Sequence, residues 1–317
     1  MVDVLLQPLG LYVIALGAGF LIPLFFRASH ISAVLVFLAA LSGMAAIAAA
    51  CTPKAGQADS GAQVVTSPGF PAWTEQSVAF ETPDGTMDGW LVAPTSGPAP
   101  AVVIWPDIAG LRESKKAMAR RLADRGYAAL VVNQYYRDTP APIWQDFADF
   151  AGNGGWPRAR EMRARLDAEA IMRDATAAVA FLDSRDEVDS KRGIGTQGYC
   201  MGGPFTMWTA AAVPARVKAA ASFHGGGLVR PDYPLSPHKL FDRMEASLLI
   251  AIAQDDDAKA PGEKDVLREA ASAAGRKAVI EVFAGDHGWC VPDSPAYNEP
   301  EAERAWAEML KLYGDAL

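Results

Sequence analysis

One of the three cysteines lies in a sequence context suited to a nucleophile. Residues 198–202 read Gly-Tyr-Cys-Met-Gly, so Cys200 has a glycine two positions away on each side. A run that predicts a strand precedes this segment and a run that predicts a helix follows it, which is the setting of a nucleophile held on a sharp turn. Larger side chains would collide at such a turn, and the amides and dipole of the next helix would favour a thiolate. The pattern therefore predicts that Cys200 attacks a carbonyl carbon.

A thiol nucleophile needs a base, and the base needs an acid that orients it; both residue types follow Cys200 in the chain. One predicted strand runs into the three consecutive aspartates of residues 255–257, and a later one runs into His287. The imidazole would take the thiol proton and return it to the leaving group, while a carboxylate would hold its tautomer. We predict His287 as the base and Asp256 as the acid, with Asp257 as the second choice and a solvated acidic turn for the remaining aspartates.

The chain contains only four histidines, which narrows the choice of base. His30 lies in an apolar N-terminal segment and His238 in a proline-rich loop, so neither is expected near Cys200. His224 ends a predicted strand, on the same sheet edge as His287. We therefore predict that His224 lines the pocket without being the base.

Two other interpretations of the Cys200 region have to be weighed. A free cysteine is most often a small buried apolar residue, but glycines at the right spacing on both sides favour the nucleophile. Residues 193–198 also match the Gly-x-Gly-x-x-Gly string of dinucleotide-binding folds, which requires its last glycine inside the next helix and an acidic residue about twenty positions on. Gly198 precedes the turn instead, and residues 218–223 contain no acid, which argues against a nicotinamide cofactor.

Composition excludes several classes of function. The formal net charge is −8, with lysine and arginine scattered along the chain, whereas nucleic-acid binders carry a clustered basic excess. The cysteines at positions 51, 200 and 290 are odd in number, widely spaced and without a CxxC pair, which argues against a disulfide framework and a thiolate zinc site. For Cys290 we expect a packing role, with a redox clip to Cys200 as the alternative.

The remaining sequence predicts the elements that would position these groups. Apolar runs alternate with segments of helical periodicity, which predicts an α/β fold with a mainly parallel, doubly wound sheet. The predicted strands are 77–82 and 89–92, joined as a hairpin, then 101–105, 127–132, 193–199, 217–223, 248–253 and 278–283; the predicted helices are 113–125, one containing 171–182 and one containing 302–313. Residues 139–165 fit this alternation poorly and are interpreted as a lid or cap over the site.

The first fifty residues differ in kind from the rest of the chain. Residues 4–26 and 31–50 contain no charged side chain, and a helix of roughly twenty residues spans a hydrocarbon core of about 30 Å. Arg27 is the positive charge between the two runs, and the positive-inside tendency would place it in the cytoplasm. We therefore predict a hydrophobic helical membrane anchor that leaves the catalytic domain on the extracytoplasmic side.

Two alternatives to a two-helix anchor stay open for this segment. It resembles a bacterial lipoprotein signal that ends in three alanines before Cys51, and it could also form a buried apolar hairpin. Residues 52–69 are rich in threonine, proline, glycine, serine and alanine, which predicts a flexible tether. The predicted organisation is an anchor or signal at 1–51, a linker at 52–69 and an α/β domain at 70–317.

Four stretches together resemble the dienelactone hydrolases, also called carboxymethylenebutenolidases, across about residues 75–315. The stretches are residues 105–112 (WPDIAGLR), 198–203 (GYCMGG), 253–256 (AQDD) and 287–293 (HGWCVPD). The resemblance implies an α/β-hydrolase fold with Cys200, Asp256 and His287 as a catalytic triad, and neither a metal nor an organic cofactor.

The resemblance also implies roles around the triad. The backbone amides of Ile108 and Met201 would form the oxyanion hole. Asp107 stands where the family's best-known pattern has a glutamate that senses substrate and helps to generate the thiolate, and its side chain is one methylene shorter. Family members hold a substrate carboxylate with arginines, for which Arg112 and Arg137 are candidates, although we expect both to be solvated surface residues. Further pocket candidates are Tyr199, His224 and Trp289.

These observations support two functional hypotheses from different classes. The first is a hydrolase that cleaves small carboxylic esters or lactones through an acyl-enzyme on Cys200, with a small molecule as its partner and a membrane as its anchoring surface. The second is a non-catalytic, membrane-tethered binding module that keeps the fold, since a fold alone does not establish function. The ordered presence of nucleophile, acid and base favours the hydrolase. A redox-responsive thiol protein is a more distant alternative, because the chain has no CxxC pair.

Overall fold

The computed structural model describes residues 63–65 and 72–317. The predicted anchor at 1–51 lies outside the described residues, as does the predicted linker except for residues 63–65, which form a short edge strand. None of the helices in the described ranges combines the length and the apolarity needed to cross a bilayer.

A mixed sheet forms the centre of the fold. Its nine strands within the described ranges are β1 (Gln63–Val65), β2 (Trp73–Thr82), β3 (Gly85–Pro94), β4 (Ala101–Trp105), β5 (Ala128–Val132), β6 (Ile194–Tyr199), β7 (Val217–Phe223), β8 (Ser247–Ala253) and β9 (Ala278–Phe283). They lie in the order β1-β2-β3-β5-β4-β6-β7-β8-β9. The pairings from β1 to β5 through β3 are antiparallel, and all pairings from β5 to β9 are parallel. The predicted α/β fold is confirmed, with an antiparallel hairpin added at one edge.

Helices cover both faces of this sheet. They are α1 (Glu113–Ala123), α2 (Phe147–Gly152), α3 (Gly155–Arg163), α4 (Ala168–Asp183), α5 (Gly202–Ala212), α6 (Gln254–Lys259), α7 (Glu263–Ala273) and α8 (Glu299–Ala316), with a 3-10 helix at Pro237–Arg243. Successive side chains of β4 enter different cores: Val103 packs in the core that contains α4 and α5, and Val102 packs in the core that contains α1 and α8. A strand buried on both faces explains why β4 reads as a continuous apolar run.

The parallel strands bring their carboxyl ends to one edge of the sheet. Trp105 at the end of β4 is in register with Gly198 on β6, and Tyr199 is in register with Phe223 at the end of β7. At the far side, the last residue of β8 pairs with the last residue of β9. The loops that carry Asp107, Cys200, His224, the three aspartates and His287 therefore leave the sheet at the same edge, which is where ligands bind in open α/β folds.

The segment predicted as a lid contains the two short helices α2 and α3 and an aromatic cluster. Trp144, Phe147, Phe150 and Trp156 contact one another with ring centroids 4.8–6.3 Å apart. The Phe147 amide donates a hydrogen bond to the Asp293 carboxylate over 3.0 Å, which ties the segment to the loop that follows His287. A role as a lid stays a prediction.

Candidate active site

The turn between β6 and α5 holds Cys200 in a strained backbone conformation. Its φ of 55° lies in the left-handed region, and its amide donates to the Phe223 carbonyl over 3.0 Å. A Cβ added to Gly198 would lie 2.0 Å from the Gly202 carbonyl oxygen, and one added to Gly202 would lie 2.4 Å from the Trp105 carbonyl oxygen. The spacing of glycines around Cys200 is therefore a steric requirement of the turn, as the sequence predicted.

Replacing Gly202 by alanine tests this requirement. The added methyl group would meet the main chain of β4 and of Pro106, which cannot move without distorting the sheet edge, so we expect the free energy of unfolding to fall by about 3 kcal/mol or more. Gly226→Ala is the matched control, because a methyl group added there would find nothing within 4 Å. Urea unfolding followed by tryptophan fluorescence measures both variants; equal stability of the two would contradict the steric explanation.

The three consecutive aspartates make different contacts. Asp256 accepts a hydrogen bond from Nδ1 of His287 over 2.6 Å, whereas Asp255 accepts from the His287 backbone amide over 2.7 Å. Asp257 forms an ion pair with Lys264 at 2.6 Å. Asp255 and Asp256 also pair with Lys259, at 2.7 and 3.3 Å. The expected solvated acidic turn is wrong, because these residues open helix α6 and each carboxylate is partly buried and paired.

His287 interacts with both the thiol and the acid. Burial lowers the pKa of His287, but the Asp256 carboxylate and the Cys200 sulfur outweigh burial and raise the pKa to about 10. With its pKa raised in this way, the resting ring keeps its proton at neutral pH. The structure thus brings together Cys200, His287 and Asp256, the residues predicted as nucleophile, base and acid.

His224 is a third group in this cluster. Its ring is buried and packs edge to face on His287 with centroids 4.7 Å apart. The Cys200 sulfur and one ring nitrogen from each of the two histidines lie within 4.8 Å of one another. Thiolate and imidazole are zinc ligands, but tetrahedral zinc requires such atoms roughly 3.3–3.6 Å apart. Within the described ranges these three residues could hold a metal ion only if the group contracted.

The predicted oxyanion donors lie on two loops joined by Tyr135. The Tyr135 hydroxyl donates to the Ile108 carbonyl over 2.9 Å and lies 3.7 Å from the sulfur of Met201. Within the described part of the chain, the backbone amides of Ile108 and Met201 have no hydrogen-bond acceptor. Two free amides on loops linked by one hydroxyl are suited to bind a developing oxyanion.

A buried ion network fixes the loop that carries Ile108. Arg112 forms bidentate ion pairs with Asp107, at 2.7 and 3.0 Å, and with Asp293, at 2.7 and 2.8 Å. Lys115 lies 2.8 Å from the second oxygen of Asp107. Two cations and two carboxylates balance in charge, and Asp293 also accepts from the Phe147 amide. The network joins the β4 loop, the start of α1, the loop after His287 and the predicted lid.

Asp107 is immobilised in this network. Burial raises the pKa of Asp107, but Lys115 and Arg112 reverse the effect and hold the pKa well below its usual range. Its first oxygen also accepts from the Ala109 amide over 2.9 Å, so the carboxylate orients the turn beside Ile108. A carboxylate bound on both oxygens has little freedom to swing toward a substrate, as the resemblance implied for this position.

Neither arginine candidate is a solvated surface residue, so that expectation is wrong. Arg112 is fully buried, and the side chain of Arg137 is only 10 % exposed. Arg137 pairs with Asp84 at 2.7 Å and with Asp174 at 2.7 Å, on the β2–β3 turn and on α4. The structure does not bring Arg137 to Cys200, since none of these partners belongs to the cluster around the thiol.

The other pocket candidates are buried packing residues beside the site. The Tyr199 ring stacks on Phe223 at 5.1 Å, and its hydroxyl accepts a hydrogen bond from Gln197. Trp289 stacks on Phe283 at 5.4 Å and meets the edge of His224. Cys290 is a buried free thiol, whereas Cys200 is a free thiol that is partly exposed.

Sequence reasoning missed Lys115, Tyr135 and Asp293. Lys115 lies one helical turn from Arg112, which is a weak signal for a shared partner. Asp293 is 181 residues away from Arg112, and Tyr135 is 66 residues away from Met201, so only the folded chain reveals these contacts.

Comparison with known proteins shows the family of the chain. A family model described as "Dienelactone hydrolase family" matches residues 87–317. The chain is 28% identical over 241 residues to the "Putative carboxymethylenebutenolidase" of Methylorubrum extorquens, covering 74% of this chain and 79% of that protein. It is 30% identical over 158 residues to the "Carboxymethylenebutenolidase" of Pseudomonas putida, covering 48% of this chain and 62% of that protein. A crystal structure of a "Putative Dienelactone Hydrolase" from Klebsiella pneumoniae superposes with a TM-score of 0.65 at 24% identity, over 76% of this chain and 98% of that one.

Proposed function

The chain belongs to the dienelactone hydrolase family, and we propose that it hydrolyses small carboxylic esters or lactones through an acyl-enzyme on Cys200. The observation that carries this proposal is the contact of Asp256 with His287 at 2.6 Å, beside a cysteine held at φ 55° on a strand-to-helix turn. A group of this kind supplies a nucleophile, its base and the acid that orients the base.

In the first half of the reaction the thiolate of Cys200 attacks the ester carbonyl. A C–S bond forms and the carbonyl electron pair moves onto the oxygen, which the amides of Ile108 and Met201 receive. When the carbonyl re-forms, the C–O bond to the alcohol breaks and the His287 imidazolium gives its proton to the departing oxygen. The products are a thioester on Cys200, a neutral His287 and a free alcohol, or the tethered alcohol of an opened lactone.

In the second half water hydrolyses the thioester. Acylation removes the thiolate, which is one of the two groups that raise the pKa of His287. The imidazole is then a free base for water, while Asp256 keeps its Nδ1 proton in place. The same contacts therefore support proton donation in the first step and proton acceptance in the second.

Replacing Asp256 and, separately, its neighbour Asp257 by asparagine tests the assignment of Asp256 as the acid. Asp256→Asn is expected to lower kcat for p-nitrophenyl acetate by about 10²–10⁴-fold, because asparagine does not stabilise the imidazolium or hold the tautomer. Asp257→Asn should retain turnover within about threefold, since this carboxylate contacts Lys264 rather than His287. The two variants are compared with the wild type on p-nitrophenyl acetate and a panel of small lactones. Equal loss in both variants, or no turnover by the wild type, would contradict the proposal.

The alternative of a non-catalytic binding module requires a misaligned or incomplete triad. The contacts among Asp256, His287 and Cys200 give it no support. Its distinguishing result would be a Cys200 thiol that reacts with iodoacetamide no faster than a free thiol.

We also propose, from the sequence of residues 4–50 alone, that the hydrolase domain is held at a membrane on the extracytoplasmic side. Two uncharged runs of about twenty residues carry this proposal, and lipidation at Cys51 is its alternative form. Alkaline carbonate extraction of membranes from expressing cells tests the anchor, and Cys51→Ala separates lipidation from helical insertion. Recovery of the full chain in the carbonate supernatant would contradict it.

A further inference from the structure

His224 occupies a backbone conformation that its residue type rarely adopts. Its φ is 39°, and apart from Cys200 it is the one non-glycine residue with positive φ in the described ranges. Its amide donates to the Ala251 carbonyl over 2.8 Å, so the strain is held in place by the end of β8. Strained residues of this kind cluster at sites where a side chain must point in one direction.

The His224 side chain is buried at 2 % exposure and packs against His287 and Trp289. Neither ring nitrogen forms a hydrogen bond with another residue in the described part of the chain. Burial and the neighbouring His287 hold the pKa of His224 well below its usual range, so the ring is neutral and carries one donor and one acceptor. Buried polar groups are nearly always hydrogen-bonded, so the ring has capacity for a partner that is not protein.

The spacing around His224 leaves room for one shared water molecule. A ring nitrogen of His224, a ring nitrogen of His287 and the Cys200 sulfur lie within 4.8 Å of one another. Two nitrogens that each hydrogen-bond one water oxygen at about 2.8 Å, at a tetrahedral angle, are about 4.6 Å apart. A water held in this way would lie beside the sulfur that carries the acyl group.

We propose that His224 is a positioning residue that, together with His287, holds the water that hydrolyses the acyl-enzyme. The inference rests on the proposed acyl-enzyme mechanism. His287 accepts one water proton while the unprotonated nitrogen of His224 accepts a hydrogen bond from the other. This arrangement directs a lone pair of the water oxygen toward the thioester carbon on Cys200.

The step is balanced without any further reactant. The water oxygen forms a bond to the carbonyl carbon, one water proton passes to His287, and the carbonyl electron pair moves onto the oxygen. When the carbonyl re-forms, the C–S bond breaks and its electron pair returns to Cys200 as a thiolate. The carboxylic acid leaves with the second water proton, and the thiolate remains paired with the His287 imidazolium.

The test separates acylation from deacylation in the full-length chain, purified in a mild detergent. His224→Phe keeps an aromatic ring against His287 and Trp289 but has no ring nitrogen. His224→Asn offers an acceptor oxygen and tolerates positive φ better than most residues. His238→Phe is the matched control. His238 lies on the 3-10 helix, and its ring hydrogen-bonds Ser236 rather than a residue of the cluster. Stopped-flow bursts with p-nitrophenyl acetate report acylation, and acid quench with intact-mass spectrometry reports the acylated fraction.

We expect His224→Phe to acylate within about threefold of the wild-type rate but to deacylate at least about 30-fold more slowly, so that the acyl-enzyme accumulates toward one group per chain. His224→Asn should recover most of the deacylation rate, and His238→Phe should match the wild type. An unchanged acylated fraction in His224→Phe overturns the role of His224, as does a parallel loss of both steps that asparagine does not rescue. A wild-type Cys200 that is never acylated overturns the proposed hydrolysis and, with it, this inference.

Discussion

Replacing Cys200 by alanine is expected to lower kcat for p-nitrophenyl acetate at least about 10⁴-fold, because no other group can form the acyl-enzyme. His287 would remain against Asp256, but a base without its nucleophile leaves only the oxyanion donors and substrate binding to assist water. The side chain of Cys200 is only half-buried, so the loss of one sulfur atom should change the free energy of unfolding little. Turnover and urea unfolding are measured on the same preparation.

The control for this prediction is Cys290→Ala. Cys290 is the other described cysteine, and burial raises the pKa of its thiol, so it should neither react quickly nor assist turnover. Brief iodoacetamide treatment followed by peptide mapping should therefore label Cys200 well before Cys290. Comparable turnover by Cys200→Ala and the wild type would remove the thiol from the mechanism, and fast labelling of Cys290 would contradict the assignment of Cys200 as the reactive thiol.

The central parallel strands were predictable because they are buried on both faces, as the continuous apolar run of β4 shows. The bounds predicted for β7 and β9 are also the observed ones, although β7 contains Lys218 and β9 is an edge strand with exposed residues. The hairpin of β2 and β3 was predicted too short, because its outer residues are half exposed and do not stand out as apolar. The local apolar pattern of the sequence therefore located the strands, whereas their full length depends on pairing with neighbouring strands.

The candidate site was predictable where the chemistry is local and unpredictable where it depends on tertiary contacts. Residues on either side of Cys200 specify a turn by themselves, because the collisions at Gly198 and Gly202 are with backbone a few residues away or on the next strand. Asp256 was predicted as the acid, but the contacts that distinguish it from Asp255 and Asp257 depend on the start of α6, which the sequence did not indicate. The burial of Arg112 depends on its ion pair with Asp293. The sequence near either residue does not indicate a partner so distant in the chain.

Replacing Asp107 by asparagine should lower the free energy of unfolding by about 3–5 kcal/mol at pH 7, because Arg112 and Lys115 would keep one uncompensated charge in a buried site. Asp84→Asn is the matched control: Asp84 is partly exposed and its partner Arg137 retains Asp174, so the loss should stay below about 1 kcal/mol. Since Lys115 and Arg112 hold the pKa of Asp107 below its usual value, its contribution is present above about pH 4 and is lost as the pH falls further. The difference between Asp107→Asn and the wild type should therefore shrink in urea titrations below that pH.

The same variant distinguishes an anchored carboxylate from a mobile one. If Asp107 orients the Ile108 amide, asparagine should reduce stability and, at temperatures where the variant is folded, lower acylation and deacylation together, since both steps use the same oxyanion donors. If Asp107 instead leaves Arg112 to generate the thiolate when substrate binds, asparagine should slow acylation alone and leave stability close to that of Asp84→Asn. The four contacts to its two oxygens favour the first result, because a swing would have to break the ion pairs with Arg112 and Lys115 and leave both cations buried without it.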